Sequence, residues 1–79
     1  MRWLFRMINE TEGTIIYAYS FESDELDGRI EYNKESKNFR IITPCRIDKQ
    51  HDIFLQRTAQ HFCQVINEGF PAERYICCG

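Results

Sequence analysis

Apolar and polar residues alternate over most of the first 43 positions, and apolar residues then recur at helical spacing from about position 48 to 68. From Arg2 to Ile8, Trp3, Phe5 and Met7 fall on one side of a period-two strand, with Arg2, Leu4, Arg6 and Ile8 on the other. Asn9 to Gly13 is polar and ends in glycine, which suits a hairpin connection. Thr14 to Glu22 is the clearest strand: Ile15, Tyr17, Tyr19 and Phe21 share one face, and Ile16, Ala18, Ser20 and Glu22 the other. After an acidic connection ending in Asp27-Gly28, a third strand runs from Arg29 to about Asn33, with Ile30 and Tyr32 together. Lys34 to Lys37 forms a turn, and Asn38 to Thr43 a fourth strand with Phe39 and Ile41 inward. Pro44 ends it, because proline has no N–H for a ladder. Short polar connections between successive strands imply an antiparallel meander.

The helical stretch covers roughly Asp48 to Glu68. With Leu55 as reference, Phe62, Ile66, Ala59 and His51 lie within about 40°, and Thr58, Val65, Cys63 and Phe54 within about 100°. Arg57, Gln60, Gln64 and His61 occupy the opposite side, and Ile53 is an apolar residue among them. Such a stripe describes a surface helix packed on one side. Asp48 is the expected N-cap, Asp52 suits the first turn, and Gly69 followed by Pro71 suits the C-terminal stop. The apolar tail Arg74–Cys78 is a candidate fifth strand.

These elements predict one α+β domain over residues 1–79, a four-stranded antiparallel meander of order β-β-β-β-α packed on one long amphipathic helix. The helix stripe requires an apolar partner. The strands supply it with Trp3, Phe5, Met7, Ile15, Tyr17, Tyr19, Phe21, Ile30, Tyr32, Phe39 and Ile41. The other sheet face then carries Arg2, Arg6, Arg29 and Arg40 among Leu4, Ile8, Ile16 and Ile42. Aliphatics rimmed by charge are a common partner-surface composition. Candidate partner-contact residues are therefore Arg2, Leu4, Arg6, Ile16, Arg29, Arg40 and Ile42. The bland alternative is that arginine stems cover the aliphatics and nothing binds.

Composition agrees with a packed domain: 43% of residues are hydrophobic and 14% aromatic, enough for a core. Twelve acids and ten bases are interspersed, for a net charge of −2. Phosphate contacts dominate nucleic-acid affinity, so this balance argues against a general nucleic-acid binder. The separation of arginines from aromatics onto opposite faces argues the same way, because base stacking needs both together. No apolar run is long enough to span a membrane, and Arg6 interrupts the N-terminal apolar stretch, which reads as a strand rather than an export signal. The expectation is a cytoplasmic protein with free thiols.

The candidate chemistry is thin. Cys45, Cys63, Cys77 and Cys78 lack the paired spacing of a zinc site, and His51 and His61 sit about 80° from a shared helix face. Cys45, Cys63 and one of Cys77 or Cys78 read as buried small apolar residues. His61 and Cys63 fall about 160° apart on the helix and cannot pair as base and nucleophile. In the register of a calcium loop starting at Ser23, Lys34 takes the place of the bidentate glutamate, so the acidic connection reads as a solvated turn. Cys45 with Cys77-Cys78-Gly79 resembles half of the cysteine pattern of heterodisulfide-reductase-like cysteine-rich domains. The CxxC that completes that pattern is missing here. The same end resembles double-cysteine prenylation signals, but a CaaX box needs cysteine at position 76, where Ile76 stands.

No nucleophile–base–orienter set can be assembled, so the expectation is a non-enzyme without cofactor or metal. The leading functional expectation is a small protein-interaction or self-associating module, such as a homodimer, using the uncovered sheet face. The alternatives are a thiol- or metal-dependent role for Cys77 and Cys78, and weak nucleic-acid binding through the arginine-bearing face.

Overall fold

In the computed structural model, which describes residues 1–77, the alternating segments form five strands in one antiparallel sheet and the periodic segment forms two helices on one side of it. In chain order these are β1 (Arg2–Glu10), β2 (Thr14–Phe21), β3 (Gly28–Asn33), β4 (Asn38–Thr43), α1 (Arg46–Gln50), α2 (Asp52–Asn67) and β5 (Glu73–Cys77). The strand order β4-β3-β2-β1-β5 places the C-terminal tail beside β1, antiparallel to it, so β1 is an interior strand. The candidate fifth strand is thus real over its described part; Cys78 lies outside the described residues.

The register sorts side chains into rows that cross the sheet. On the helix side the rows are Ile76–Trp3–Phe21, Arg74–Phe5–Tyr19–Gly28, Met7–Tyr17–Ile30–Ile41 and Glu10–Ile15–Tyr32–Phe39. All eleven aliphatic and aromatic residues expected inward on the first four strands belong to the core or pack against it. Phe62 on α2 is the central plug, with ring centroids 5.9 Å from Phe5, 5.3 Å from Tyr17 and 4.9 Å from Phe39. One helical side chain thereby reaches β1, β2 and β4.

The helix differs from expectation. One continuous helix from Asp48 is replaced by a five-residue α1 and a sixteen-residue α2, separated by His51 in an extended conformation. Neither proline nor glycine causes the break. On an unbroken helix Asp48 and Thr58 would stand about 15 Å apart along the axis. The break folds α1 back until the Thr58 hydroxyl donates to the Asp48 carboxylate at 3.0 Å. Asp48 is therefore a buried residue in the first turn of α1, not an N-cap; Cys45 holds that position. His51, expected within the apolar stripe, is exposed at the elbow.

On α2 the fully buried positions are Thr58, Phe62 and Val65. That centres the stripe roughly 50° from Leu55, which is only half-buried. The rotation carries Cys63 out of the stripe, so its thiol is exposed and does not fill the core. The helix ends as its glycine suggests. Gly69 N–H bonds the Ile66 carbonyl at 3.0 Å and Phe70 N–H the Val65 carbonyl at 3.2 Å, the paired bonds of a Schellman stop. Phe70 then lies against Tyr32, ring centroids 4.7 Å apart. Arg74 holds β5 to the helix end through Glu68 at 2.7 Å.

One glycine is dictated by close approach. A Cβ on Gly28 would sit 2.3 Å from the Tyr19 ring, which lies across the glycine from the neighbouring strand. Gly28→Ala should displace that ring and destabilise by roughly 1–3 kcal/mol in urea titration. Gly13→Ala, where nothing lies within 4 Å, should change stability by less than about 0.5 kcal/mol. Equal effects at the two positions would show that the Tyr19 ring does not need the space.

Candidate functional site

The middle of the sheet face away from the helices is arranged in three rows, between Arg2–Cys77 at one end and Thr14–Asn33–Asn38 at the other. The first is Tyr75–Leu4–Ser20, the second Glu73–Arg6–Ala18–Arg29–Thr43, and the third Asn9–Ile16–Glu31–Arg40. Arg6 pairs across to Ala18 while Tyr17 pairs with Met7, so guanidinium and core aromatic lie on opposite sides of the sheet. Arg2, next to Cys77 at one end, belongs to the same outer face.

Two register shifts shape this surface. Ile8 is the extra residue of a bulge in β1, between Met7 and Asn9. Ile42 is the extra residue of a bulge in β4, where Ile30 pairs with Ile41 but Arg29 with Thr43. A bulged residue has no cross-strand partner to share its burial. Ile8 is accordingly 49% exposed and Ile42 46%. Ile16 is half-buried between them in the third row, and Tyr75 is exposed in the first. Leu4, by contrast, is buried, flanked by Tyr75 and Ser20 across the strands and by Arg2 and Arg6 along its own. It adds nothing to the exposed patch.

All four arginines on this face have partners within the chain. Arg6 donates to Glu73 at 2.7 Å, and Arg40 lies 3.4 Å from Glu31. Arg29 donates to the carbonyls of Leu26 and Gly28 at 2.7 and 2.8 Å. Arg2 sits 5.8 Å from the centre of the Tyr75 ring and 3.9 Å from Asp24. The face is rich in cations yet nearly neutral. Each exposed pair contributes only about 0–1 kcal/mol, so their main effect is to spend the charge locally.

A second set of polar groups is buried, and periodicity did not reveal it. The Trp3 indole N–H donates to the Thr58 hydroxyl at 2.8 Å, and Thr58 donates to Asp48. The Tyr19 hydroxyl donates to the same carboxylate at 2.6 Å and accepts the Cys45 backbone N–H at 3.0 Å. Five residues from β1, β2, α1, α2 and the turn before α1 thus form one network centred on the Asp48 carboxylate. Burial first, then the hydrogen bond to Asp48, pushes the Tyr19 phenol far above its ordinary value. Burial pushes the Cys45 thiol up as well, with the Asp48 and Asp27 carboxylates adding to it, which is the reverse of an activated nucleophile. The sequence signal was present but easily missed: an aspartate, Asp48, falls inside an otherwise apolar helical stripe.

Beside this network lies an open cleft of about 410 Å³ between the β2–β3 connection and α1. Glu22, Ser23, Glu25 and Asp27 form one wall, Arg46, Ile47 and Gln50 the other, with Phe21 and Cys45 also lining it. Two of its acids are already engaged: Glu22 accepts the Arg2 backbone N–H at 2.6 Å, and Asp27 the Arg46 N–H at 3.1 Å. Among the described residues no three of His, Cys, Asp or Glu gather where they could hold a metal ion. Cys77 is exposed on the outer face, but the Cys77–Cys78 pair singled out in the sequence cannot be placed, because Cys78 lies outside the described residues. Among the described residues no helix is long and apolar enough to cross a membrane. Comparison with known protein families, curated proteins and solved structures finds no match.

The two inward tyrosines make stability pH-dependent on the alkaline side. Burial and the nearby Glu10 carboxylate push Tyr17 up to about 12, and Tyr19 is raised further. The folded chain therefore keeps protons that the unfolded chain releases near pH 10. Their contribution is complete below about pH 10 and is lost as pH climbs through 12. Urea midpoints should fall above about pH 10, and Tyr19→Phe should flatten that fall while costing roughly 1–3 kcal/mol at neutral pH. If every phenol ionises near its ordinary value while the fold persists, the buried network is wrong.

Proposed function

We propose that the chain is a protein-interaction module that docks through its uncovered sheet face, and that the occupant is a second copy of the same chain. One observation carries this reading: bulges in β1 and β4 lift Ile8 and Ile42 out of the ladder on either side of Ile16, on a face that no other layer of the described residues covers. Charge supports a self-complementary match. Since Arg6 and Arg40 are paired with Glu73 and Glu31, the charge left on each face to repel a second copy is small. The same pairing weighs against nucleic acid, and the core aromatics that could stack on bases face the helices.

Size sets the strength. A five-stranded face with strands about 20 Å long has a planar footprint on the order of 400 Å². Standard interfaces bury about 800 Å² per partner, so this association is weak and reversible. Such a module has no catalytic role. A cytoplasmic setting fits the free thiols of Cys45, Cys63 and Cys77.

Sedimentation equilibrium from about 10 µM to about 1 mM should show a monomer–dimer equilibrium. Ile8→Arg and Ile42→Arg should each shift it to monomer without lowering the unfolding temperature of the dilute protein. Each buried isoleucine is worth roughly 1 kcal/mol of association, before the cost of placing a charge there. A wild-type chain that stays monomeric throughout sinks the proposal.

A further inference from the structure

The strongest feature left over is α1 itself. A five-residue helix has too few internal hydrogen bonds to hold its shape alone. Pro44 precedes it closely and the extended His51 follows it, so it is joined to the rest of the fold through non-helical residues at both ends. One side of it borders the open cleft, where Arg46, Ile47 and Gln50 line the wall. Its ties on the other side are few. Asp48 accepts from Tyr19 and Thr58, the Cys45 N–H donates to Tyr19, and Ile47 packs against the core. On the cleft side, the Arg46 N–H donates to Asp27. Three of these four hydrogen bonds run through two side chains, Asp48 and Tyr19. Releasing either one frees most of the segment together.

We propose that Cys45–His51 is a hinged strap, caught by the Asp48 carboxylate, that opens locally while the sheet and α2 stay folded. Opening joins the cleft to the space behind α1 and uncovers Asp48, Tyr19 and the Cys45 thiol, making a deeper pocket from a shallow one. Local opening of this kind belongs to segments with few buried apolar contacts, and within Cys45–His51 only Cys45 belongs to the core cluster and only Ile47 packs against it. The proposal does not depend on self-association, since the cleft residues lie outside the three rows of the uncovered face.

Cys45 reports on the strap directly, because its thiol is 1% exposed when the strap is closed, whereas Cys63 and Cys77 are exposed throughout. Alkylation of the native protein, read by peptide mass spectrometry, separates the Cys45 rate from that of Cys63 and from that of the C-terminal Cys77-Cys78 peptide. Amide exchange at Phe62 and Val65 reports on the core in the same samples. Cys45 should be labelled at least about tenfold faster than global unfolding allows, with little dependence on low urea. Asp48→Asn should raise the Cys45 rate by about tenfold, with that rate still far above exchange at Phe62 and Val65 and still nearly independent of low urea. Asp27→Ala removes only the cleft-side tie and should raise the Cys45 rate by about threefold, which keeps the test decisive if Asp48→Asn does not fold. Labelling of Cys45 that tracks core exchange in every variant, with the urea slope of global unfolding, would overturn the strap.

Discussion

A carboxylate buried without a cation is the constraint around which this molecule is arranged. Asp48 is 3% exposed, and a charge or polar group so placed is costly unless donors surround it. The donors are Tyr19 and Thr58, with Trp3 feeding Thr58 from behind. Meeting that requirement explains several otherwise separate features. The helix breaks at His51 because a straight helix would hold Asp48 and Thr58 too far apart. The stripe on α2 rotates toward Thr58 because Thr58 must face the Trp3 indole. Position 28 lacks a side chain because the Tyr19 ring crosses it on its way to the carboxylate. Among the described residues no buried side-chain nitrogen or oxygen lacks a partner, so the polar cluster is fully satisfied.

Most of the architecture was legible from period alone. Strand parity placed every inward residue of β1 to β4 correctly, since a half-buried antiparallel strand writes its two faces as alternate positions. The β1 and β4 bulges were not legible. The adjacent apolar pairs Met7-Ile8 and Ile41-Ile42 read equally well as outward aliphatics on regular strands, and a bulge is set by pairing between strands. The helix break was hidden for a similar reason. Asp48 falls inside the apolar stripe of one continuous helix, so the periodicity runs on smoothly through His51. What betrayed the break was a distance along the axis, which an angular projection discards. Cys63 went astray with it, because the stripe was centred on Leu55 and not on Phe62.

The uncovered face shows how exposure and charge separate once pairing is known. Four arginines suggested a cationic surface, and the fold returns a nearly neutral one, because Glu73 and Glu31 stand beside Arg6 and Arg40 in the same rows. Leu4 looked available and is buried, hemmed in by neighbours on both strands. What remains prominent is a small set of isoleucines raised by irregularities in the ladder. A surface of this kind favours weak contact with a flat apolar counterpart over tight capture of a charged ligand.

The strand order has a kinetic side. β1 pairs on one edge with β2, its hairpin neighbour, and on the other with β5, which is reached only after the meander and both helices. The hairpins close short loops quickly, whereas docking β5 closes a loop that spans nearly the whole chain. Until it docks, the free edge of β1 is a bare row of peptide groups beside Trp3 and Phe5, the sort of template that recruits other chains. Arg2 and Arg6, alternating along that strand, place like charges where a second copy adding to the edge would have to approach. In the finished fold the same two side chains turn to Tyr75 and Glu73 on the strand that replaces the intruder.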